Sequence, residues 1–434
     1  MKKVAFYTLG CKVNQYETEA IAELFVKEGY QVVDFEENAD VYIINTCTVT
    51  NLSDRKSRQM IRRAKSINKD SVVAVMGCYA QTAHDEILSI PGVNLVVGTK
   101  DRNRIIDYIK DVEAGQDKID KVSSIMGVRD FEELKIESFK ERTRAFLKIQ
   151  DGCSQYCAYC IIPYARGPIR SRPPEDVVSE VKRLSDSGFK EVVLTGIHVA
   201  SYGKDIKGWT LLDIIKKVHE VEGIERIRLG SLEPTIITKE FVEAAVNLEK
   251  LCPHYHISLQ SGCDSTLKRM NRKYTTAEYR ETVNLLRSHI KDVAITTDVM
   301  VGFPGETDEE FEQTYKFLDE ISFAQMHIFK YSPRKGTPAA DFESQVSGEK
   351  KEERSNRLIS LSKKKTNEFN SSFLGRVMPV LYEQETKADD GTLEGLTSNY
   401  IKVISKGDRS IKGKIVETKL EEIIDDYVSG KGIS

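Results

Sequence analysis

Three cysteines fall within eight residues, Cys153-Ser154-Gln155-Tyr156-Cys157-Ala158-Tyr159-Cys160. Thiolates at this C-x3-C-x2-C spacing can hold a four-iron cluster. Such clusters ordinarily take four cysteines, so three leave one iron open to an outside ligand, as in reactive rather than structural metal sites. A zinc knuckle would want a fourth Cys or His nearby, and the first histidine after Cys160 is His198. A disulfide would leave one cysteine over. A second set is dispersed: Cys11 follows Thr8-Leu9-Gly10, Cys47 follows Ile44-Asn45-Thr46 and Cys78 follows Val75-Met76-Gly77. Free cysteine is usually a small buried hydrophobe, which accounts for one of these. It does not account for three, each just past an apolar β-like run. They are expected to form a second three-cysteine cluster site with its own open iron. Cys252 and Cys263 match no ligand spacing and read as structural.

The elements that must position these thiols follow from periodicity. Apolar runs Val4–Leu9, Val41–Asn45, Val72–Met76 and Leu95–Val97 alternate with helix-like segments such as Gln15–Gly29. The alternation predicts an α/β domain with a doubly wound parallel sheet over residues 1–110, which puts all three early cysteines at strand C-termini, where open α/β sheets bind ligands. A polar stretch over 111–141 reads as a linker. From Ala145–Ile149 the pattern restarts, with further strands at Val192–Leu194, Ile227–Leu229, Tyr255–Leu259, Val293–Thr297 and Met326–Phe329. Six strand–helix units over 142–370 predict a partial (β/α)6 barrel, whose site lies at the strand C-termini. Those ends carry Thr195-Gly196, Ser231-Leu232-Glu233, Gln260-Ser261-Gly262 and Val301–Glu306. Thr307 and Glu310 form a capping box that opens a helix from Asp308. Short β runs at Val377–Tyr382, Thr397–Ile404 and Lys414–Thr418, with Gly/Asp turns such as Asp389-Asp390-Gly391, predict a small all-β barrel over 371–434.

Bulk composition is compatible with this. The 434 residues are 40% hydrophobic and 30% charged, with a net charge of −3. No run of 18 apolar residues is present, so no membrane span is expected. Met1–Tyr7 leads to Gly10-Cys11-Lys12 without a small-residue cleavage site and reads as a strand rather than a signal peptide. Eight cysteines without a secretion signal suggest a reducing, cytoplasmic setting and metal chemistry rather than disulfides. The charge balance gives no global attraction to nucleic acid, so any RNA surface must be local. Arg55, Lys56, Arg58, Arg62, Arg63 and Lys65 form a run without an acid, in which Arg55, Arg58 and Arg62 share a helix face. Arg166, Arg170 and Arg172 form a second cluster, and Lys268, Arg269, Arg272 and Lys273 a third. Such runs are usually solvated faces. Three of them near strand ends suit a phosphate backbone entering the site. The C-terminal module, with 9 basic and 11 acidic residues from Ser371 onward, does not advertise RNA binding.

The Cys153–Cys160 spacing resembles the signature of radical S-adenosylmethionine (SAM) enzymes. The likeness implies that SAM's amino and carboxylate groups bind the open iron and that one electron cleaves the sulfonium to a deoxyadenosyl radical. The wider wording resembles the radical SAM methylthiotransferase family over nearly the whole chain. It is carried by Thr8-Leu9-Gly10-Cys11-Lys12-Val13-Asn14-Gln15-Tyr16-Glu17, Asn45-Thr46-Cys47-Thr48-Val49, Gly77-Cys78, Gln150-Asp151-Gly152-Cys153, Ile161-Ile162-Pro163-Tyr164-Ala165-Arg166-Gly167, Ser258–Gly262, Arg269–Arg272 and Tyr331–Thr337. The terminal module resembles a TRAM domain. The Lys12–Glu17 wording, Asp151 and Ser231-Leu232-Glu233-Pro234 look most like the branch acting on threonylcarbamoyladenosine beside the tRNA anticodon. Sister branches act on isopentenyladenosine or on a ribosomal protein aspartate.

The resemblance implies two 4Fe-4S clusters and SAM as cofactors, the tRNA anticodon stem-loop as substrate, an electron donor such as flavodoxin or ferredoxin, and a sulfur donor. Cys11, Cys47, Cys78, Cys153, Cys157 and Cys160 would hold the metal. Tyr159, Thr195, Gly196, Ser231, Glu233, Gln260 and Arg272 would bind SAM, with Tyr159 beside its adenine. Arg58, Arg62, Arg166 and Arg170 would meet tRNA. An aromatic C–H at adenine C2 has no acidic proton and no leaving group, so the chemistry belongs to the cofactors while the protein binds and orients. No general base is identifiable. Two rivals remain: a cobalamin-binding radical methylase, whose Asp-x-His-x-x-Gly signature is absent, and a cluster-carrying electron-transfer protein, which would not need a barrel with polar strand ends.

Overall fold

The structure is a computed structural model that describes residues 1–116, 118–134, 143–386, 391–407 and 409–433. Strands β1 (Lys3–Thr8), β2 (Gln31–Val33), β3 (Val41–Thr46), β4 (Val72–Gly77), β5 (Leu95–Val97) and β6 (Ile119–Lys121) form one parallel sheet in the order β2-β1-β3-β4-β5-β6. β3 is buried along its whole length, as expected of a central parallel strand covered on both faces. The helix Lys12–Lys27 covers one face through Tyr16, Ala20, Ile21 and Phe25. The helix Asn51–Ile67, capped by Thr50, covers the other through Ile61 and Ala64. Order reverses between β1 and β3, so the ends of β1, β3 and β4 flank a topological switch point.

The stretch 111–141, expected as a linker, differs within its described part. Asp111–Glu113 end the helix Ile105–Glu113, and β6 extends the first sheet. Leu134 is buried, and its carbonyl accepts a 2.6 Å hydrogen bond from the Tyr16 hydroxyl. High polarity hid a short edge strand whose register rests on one apolar residue, Ile119. Residues 135–141 lie outside the described residues.

β7 (Arg144–Asp151), β9 (Glu191–Gly196), β10 (Arg226–Leu229), β11 (His254–His256), β12 (Ala294–Val301) and β13 (Gln325–Lys330) follow one another as parallel neighbours, with short β8 (Arg170–Ser171) antiparallel against β7. Single bridges, Ile227 with Leu251 and Leu232 with Ile257, carry the sheet across from β10 to β11. This is the expected partial (β/α)6 barrel. The capping box of Thr307 and Glu310 opens the helix Asp308–Ile321. One hydrophobic core runs from the first sheet into the barrel, joining Tyr16, Val41 and Met76 to Leu147, Leu194 and Ile257.

The terminal module is a closed five-stranded barrel of β14 (Val377–Glu385), β15 (Thr392–Thr397), β16 (Lys402–Lys406), β17 (Ile415–Ile424) and β18 (Tyr427–Gly432), in the order β14-β15-β16-β18-β17. The run Thr397–Ile404, expected as one strand, starts on the last residue of β15 and ends within β16, broken by a turn at Tyr400, which takes a left-handed φ of 73°. The Asp389-Asp390 part of the expected turn lies outside the described residues. No helix among the described residues is long and apolar enough to cross a membrane.

Candidate active site

Cys11, Cys47 and Cys78 stand at the C-terminal ends of the three neighbouring strands β1, β3 and β4. Asn14 ties their loops together. Its Nδ2 donates to the carbonyls of Leu9 (2.8 Å) and Thr46 (3.1 Å), and its Oδ1 lies 3.7 Å from Cys11 Sγ. Gly77 precedes Cys78 at φ 99°, and a Cβ there would sit 2.5 Å from Asn45 Oδ1 and 2.7 Å from the Thr46 carbonyl. Only glycine lets β4 turn this close to the Cys47 loop. Cys47 and Cys78 are buried and Cys11 is exposed. Burial pushes the Cys78 thiol up to about 12, opposed by Arg166 and reinforced by Cys47 and Cys11.

Cys153, Cys157 and Cys160 lie on the loop after β7. Gly152, at φ 72°, passes so near the chain at Pro168 that a Cβ would fall 1.8 Å from its carbonyl oxygen. The segment Met270–Arg272 clasps the loop from the far side: Ala158 N donates to the Met270 carbonyl (3.0 Å) and Asn271 Nδ2 to the Tyr156 carbonyl (2.8 Å). Arg272 Nη1 donates to Cys157 Sγ at 3.3 Å, and Arg272 Nη2 lies 3.1 Å from Glu233. Glu233 also accepts from Gln155 Nε2 at 2.9 Å and has His198 Nε2 3.2 Å away. Burial raises the thiols of Cys153 to about 11 and Cys160 to about 12, and the neighbouring Cys157 adds to both.

The donor sets suit iron–sulfur clusters. All eight cysteines are free thiols, and within each set the thiols lie near enough to oppose one another's ionisation. Among the described residues no three His, Cys, Asp or Glu side chains converge as ligands of a single ion do. Cluster cysteines each hold a different iron and need no such convergence. Loading must release thiol protons, and each set has a guanidinium touching one sulfur, Arg166 at Cys78 and Arg272 at Cys157.

Between the two sets lies a buried ionic lattice. Among the described residues, four cations, Arg102, Lys148, Arg166 and Arg170, meet three carboxylates, Glu17, Glu132 and Asp151. Lys148 Nζ reaches Glu17 at 2.9 Å and Asp151 at 2.5 Å. Burial opposes the charge on Glu17, but Arg102, Arg166 and Lys148 outweigh it and hold the carboxyl well below the usual range. Asp151 is held low in the same way by Lys148, Arg166, Arg170 and Arg102. Its Oδ1 accepts from Gly152 N at 2.8 Å, which fixes the entry to the Cys153 loop.

The expectation that Arg166 and Arg170 meet tRNA is therefore corrected. Both are buried, Arg166 on Cys78, Glu17 and Asn14, and Arg170 on the carbonyls of Arg166 and Pro168. Basic spacing alone could not tell a lattice cation from a phosphate ligand. Arg62 is exposed, whereas Arg58 is half-buried, donating to the Tyr79 hydroxyl (2.6 Å) and to Glu86 (3.1 Å). Of the residues expected around SAM, Glu233 and Arg272 converge on the Cys157 side of the loop. Tyr159 is half-buried, its ring centroid 6.4 Å from that of Phe303. Thr195 is buried and Gly196 half-buried at the end of β9, and Ser231 is exposed after β10. Gln260 takes a left-handed φ of 72°, pinned between Asp298 and Met300 by backbone hydrogen bonds. His198, Gln155, Asn14 and Glu17 were missed as site residues. The only signal for the last two was their place in the Cys11 wording.

Residues 147–318 match the Radical SAM superfamily, and residues 3–98 match Uncharacterized protein family UPF0004. Threonylcarbamoyladenosine tRNA methylthiotransferase MtaB of Bacillus subtilis is 48% identical over 97% of this chain and 94% of its own length. The protein of the same name from Aquifex aeolicus is 41% identical over 95% and 99%. A tRNA-2-methylthio-N(6)-dimethylallyladenosine synthase of Clostridium botulinum is 36% identical over 95% and 93%. The cobalamin-binding radical SAM methyltransferase TsrM from Kitasatospora setae shares the fold, with a TM-score of 0.57 over 78% of this chain and 77% of that one, at 14% identity. The three sequence relatives each cover 95–97% of this chain. The chain belongs to the radical SAM methylthiotransferase family.

Proposed function

We propose that the protein adds a methylthio group to C2 of N6-threonylcarbamoyladenosine beside the anticodon of tRNA, using two 4Fe-4S clusters and SAM. The observation that carries this reading is the contact between Arg166, six residues past Cys160, and Cys78 Sγ at 3.1 Å. It locks the two three-cysteine sets of one chain across a single buried lattice, as a reaction needing both would require. The substrate follows from the relatives named for threonylcarbamoyladenosine, at 48% and 41% identity against 36% for the dimethylallyladenosine enzyme. When bound, the cofactors supply an electron to cleave SAM and an open iron to carry sulfur.

The chain's own residues bind and orient. Cys153, Cys157 and Cys160 hold one cluster; Cys11, Cys47 and Cys78 hold the other. Glu233, already bridged to Arg272, is a carboxylate for SAM's ammonium or ribose. Thr195, Gly196, Ser231 and Gln260 border the same strand ends, and Tyr159 flanks the adenine. Arg62, Arg58 and Arg55 offer phosphate contacts beside the Cys47 loop. A low-potential electron donor such as flavodoxin or ferredoxin and a sulfur donor complete the system in the cytoplasm.

The test is expression in cells lacking their own enzyme of this branch, with mass spectrometry of digested tRNA. Methylthiolated threonylcarbamoyladenosine is expected. Gain of mass on isopentenyladenosine would overturn the substrate, and a group found only on a ribosomal protein would overturn the RNA reading too.

A further inference from the structure

Arg166 is fully buried and closes the short helix Ile162–Arg166 of the barrel domain, yet its contacts are mostly with the other domain. Glu17 takes it bidentately, at 2.5 Å on Nη1 and 3.0 Å on Nη2. Nη2 also donates to Asn14 Oδ1 at 2.7 Å, and Nε donates to Cys78 Sγ at 3.1 Å. Through Asn14, which binds the chain at Leu9 and at Thr46, the same guanidinium reaches the loops of Cys11 and Cys47. One side chain from the radical domain thus braces all three loops. A salt bridge to Glu17 would satisfy a merely structural arginine; it does not account for Nε aimed at a sulfur. Nor does the lattice balance by itself. Among the described residues its four cations exceed its three carboxylates by one positive charge, and the only sulfur there hydrogen-bonded to it is that of Cys78.

We propose that Arg166 is a positioning residue for the cluster held by Cys11, Cys47 and Cys78: it clamps the ligand loops and, through its N–H donated to sulfur and its fixed charge, makes that cluster easier to reduce. This rests on the reading that those thiols hold a cluster. Hydrogen bonds to cluster sulfurs and local charge are among the protein's levers on reduction potential. Arginine suits the task better than lysine, because its planar fork can serve sulfur, carboxylate and amide together.

The experiment uses the full chain with Cys153, Cys157 and Cys160 replaced by alanine, reconstituted anaerobically so that only the N-terminal cluster remains. Iron content, the midpoint potential and the electron paramagnetic resonance spectrum are read for this parent, for Arg166→Lys, and for Arg166→Gln paired with Glu17→Gln so that no carboxylate is stranded. The paired variant is expected to disfavour reduction at least tenfold, a fall of about 59 mV for one electron, with an altered spectrum. Arg166→Lys is expected to shift in the same direction by less, and it decides the matter where the paired variant does not fold. An iron-loaded parent whose variants keep its potential and spectrum would overturn the role of Arg166. A parent that binds no iron would overturn the second cluster itself, and the inference with it.

Discussion

Cys157 and Cys78 each have a guanidinium on the sulfur, but the two arginines, one closing the helix Ile162–Arg166 and one just past the helix Asp264–Arg269, do different work. Arg272 shares its charge with Glu233 beside the Cys153–Cys160 loop; Arg166 is sealed in the lattice. Replacing Cys153, Cys157 and Cys160 by alanine is expected to reduce reconstituted iron from about eight to about four per chain and to abolish cleavage of SAM. Deoxyadenosine still formed by that variant would mean that the open iron lies elsewhere. The arginines of the helix Asn51–Ile67 and those of the buried lattice should separate just as sharply. Arg58→Glu with Arg62→Glu is expected to weaken tRNA binding and flatten its salt dependence, each lost phosphate contact removing roughly 0.9 from the log–log slope. Arg170→Met, by contrast, should lower Tm and leave the slope alone, since its guanidinium is bonded to the carbonyls of Arg166 and Pro168. Filter binding over a salt series distinguishes the two.

At the scale of elements, the first sheet and the barrel are joined by more than the lattice. The loop after β13 sends Arg334 to the Cys47 side of the first domain, where it donates to Thr48 Oγ1 (2.6 Å) and Asn51 Oδ1 (2.5 Å) and pairs with Asp54. Burial pushes the Asp54 carboxyl up, and Arg334 is the main influence opposing it. Breaking a buried pair from one side costs about 3–5 kcal/mol because a charge is left without its partner. Arg334→Ala is therefore expected to destabilise the protein by an amount of that order, and Asp54→Asn added to it should recover part of the loss. A denaturant-melt cycle over the four proteins measures the coupling. Additive effects would show that the two side chains do not stabilise each other.

At the scale of the whole molecule, the terminal barrel docks on the N-terminal ends of the central strands, away from the cysteine mouth. Arg228 donates to the carbonyls of Ser398 (2.9 Å) and Thr397 (3.3 Å), and Arg226 to those of Leu396 (3.0 Å) and Pro379 (2.7 Å). Tyr400 packs on the same face, stacked on His254 at 4.4 Å and lying under Arg228 at 4.9 Å. Burial first, then Arg228, His256, Lys12 and Arg144, hold His254 well below its ordinary 6.5. In the unfolded chain this histidine protonates near 6.5, so below that pH the unfolded state binds more protons and stability falls as pH falls. The contribution is fully present above that value. Tm is expected to fall progressively as the pH drops below about 6.5, and the fall should shrink in His254→Gln. An identical pH profile in the variant would assign the acid sensitivity to other groups.

The cysteine spacings, the strand–helix rhythm and the polar strand ends were legible because they are local: period and turn chemistry place Cys11, Cys47 and Cys78 at strand ends, and C-x3-C-x2-C needs only one loop. Glu233 was legible for the same reason, as a polar residue just past a strand, whereas Arg272 was legible only as part of a basic run and of a family wording. Contact across domains was not legible. Arg166 and Arg62 are the same residue type in similar basic runs, and only the packing of the helix Ile162–Arg166 against Cys78 and Glu17 turned one into a buried lattice cation while leaving the other in water. β6 and the turn at Tyr400 were missed likewise, since an edge strand and a left-handed tyrosine are stabilised by the neighbours they meet rather than by their own propensities. Sequence determined which groups could do chemistry and on which elements they sit. Tertiary structure decided which charges face each other, because burial and distance, not residue type, set the strength of an ionic contact.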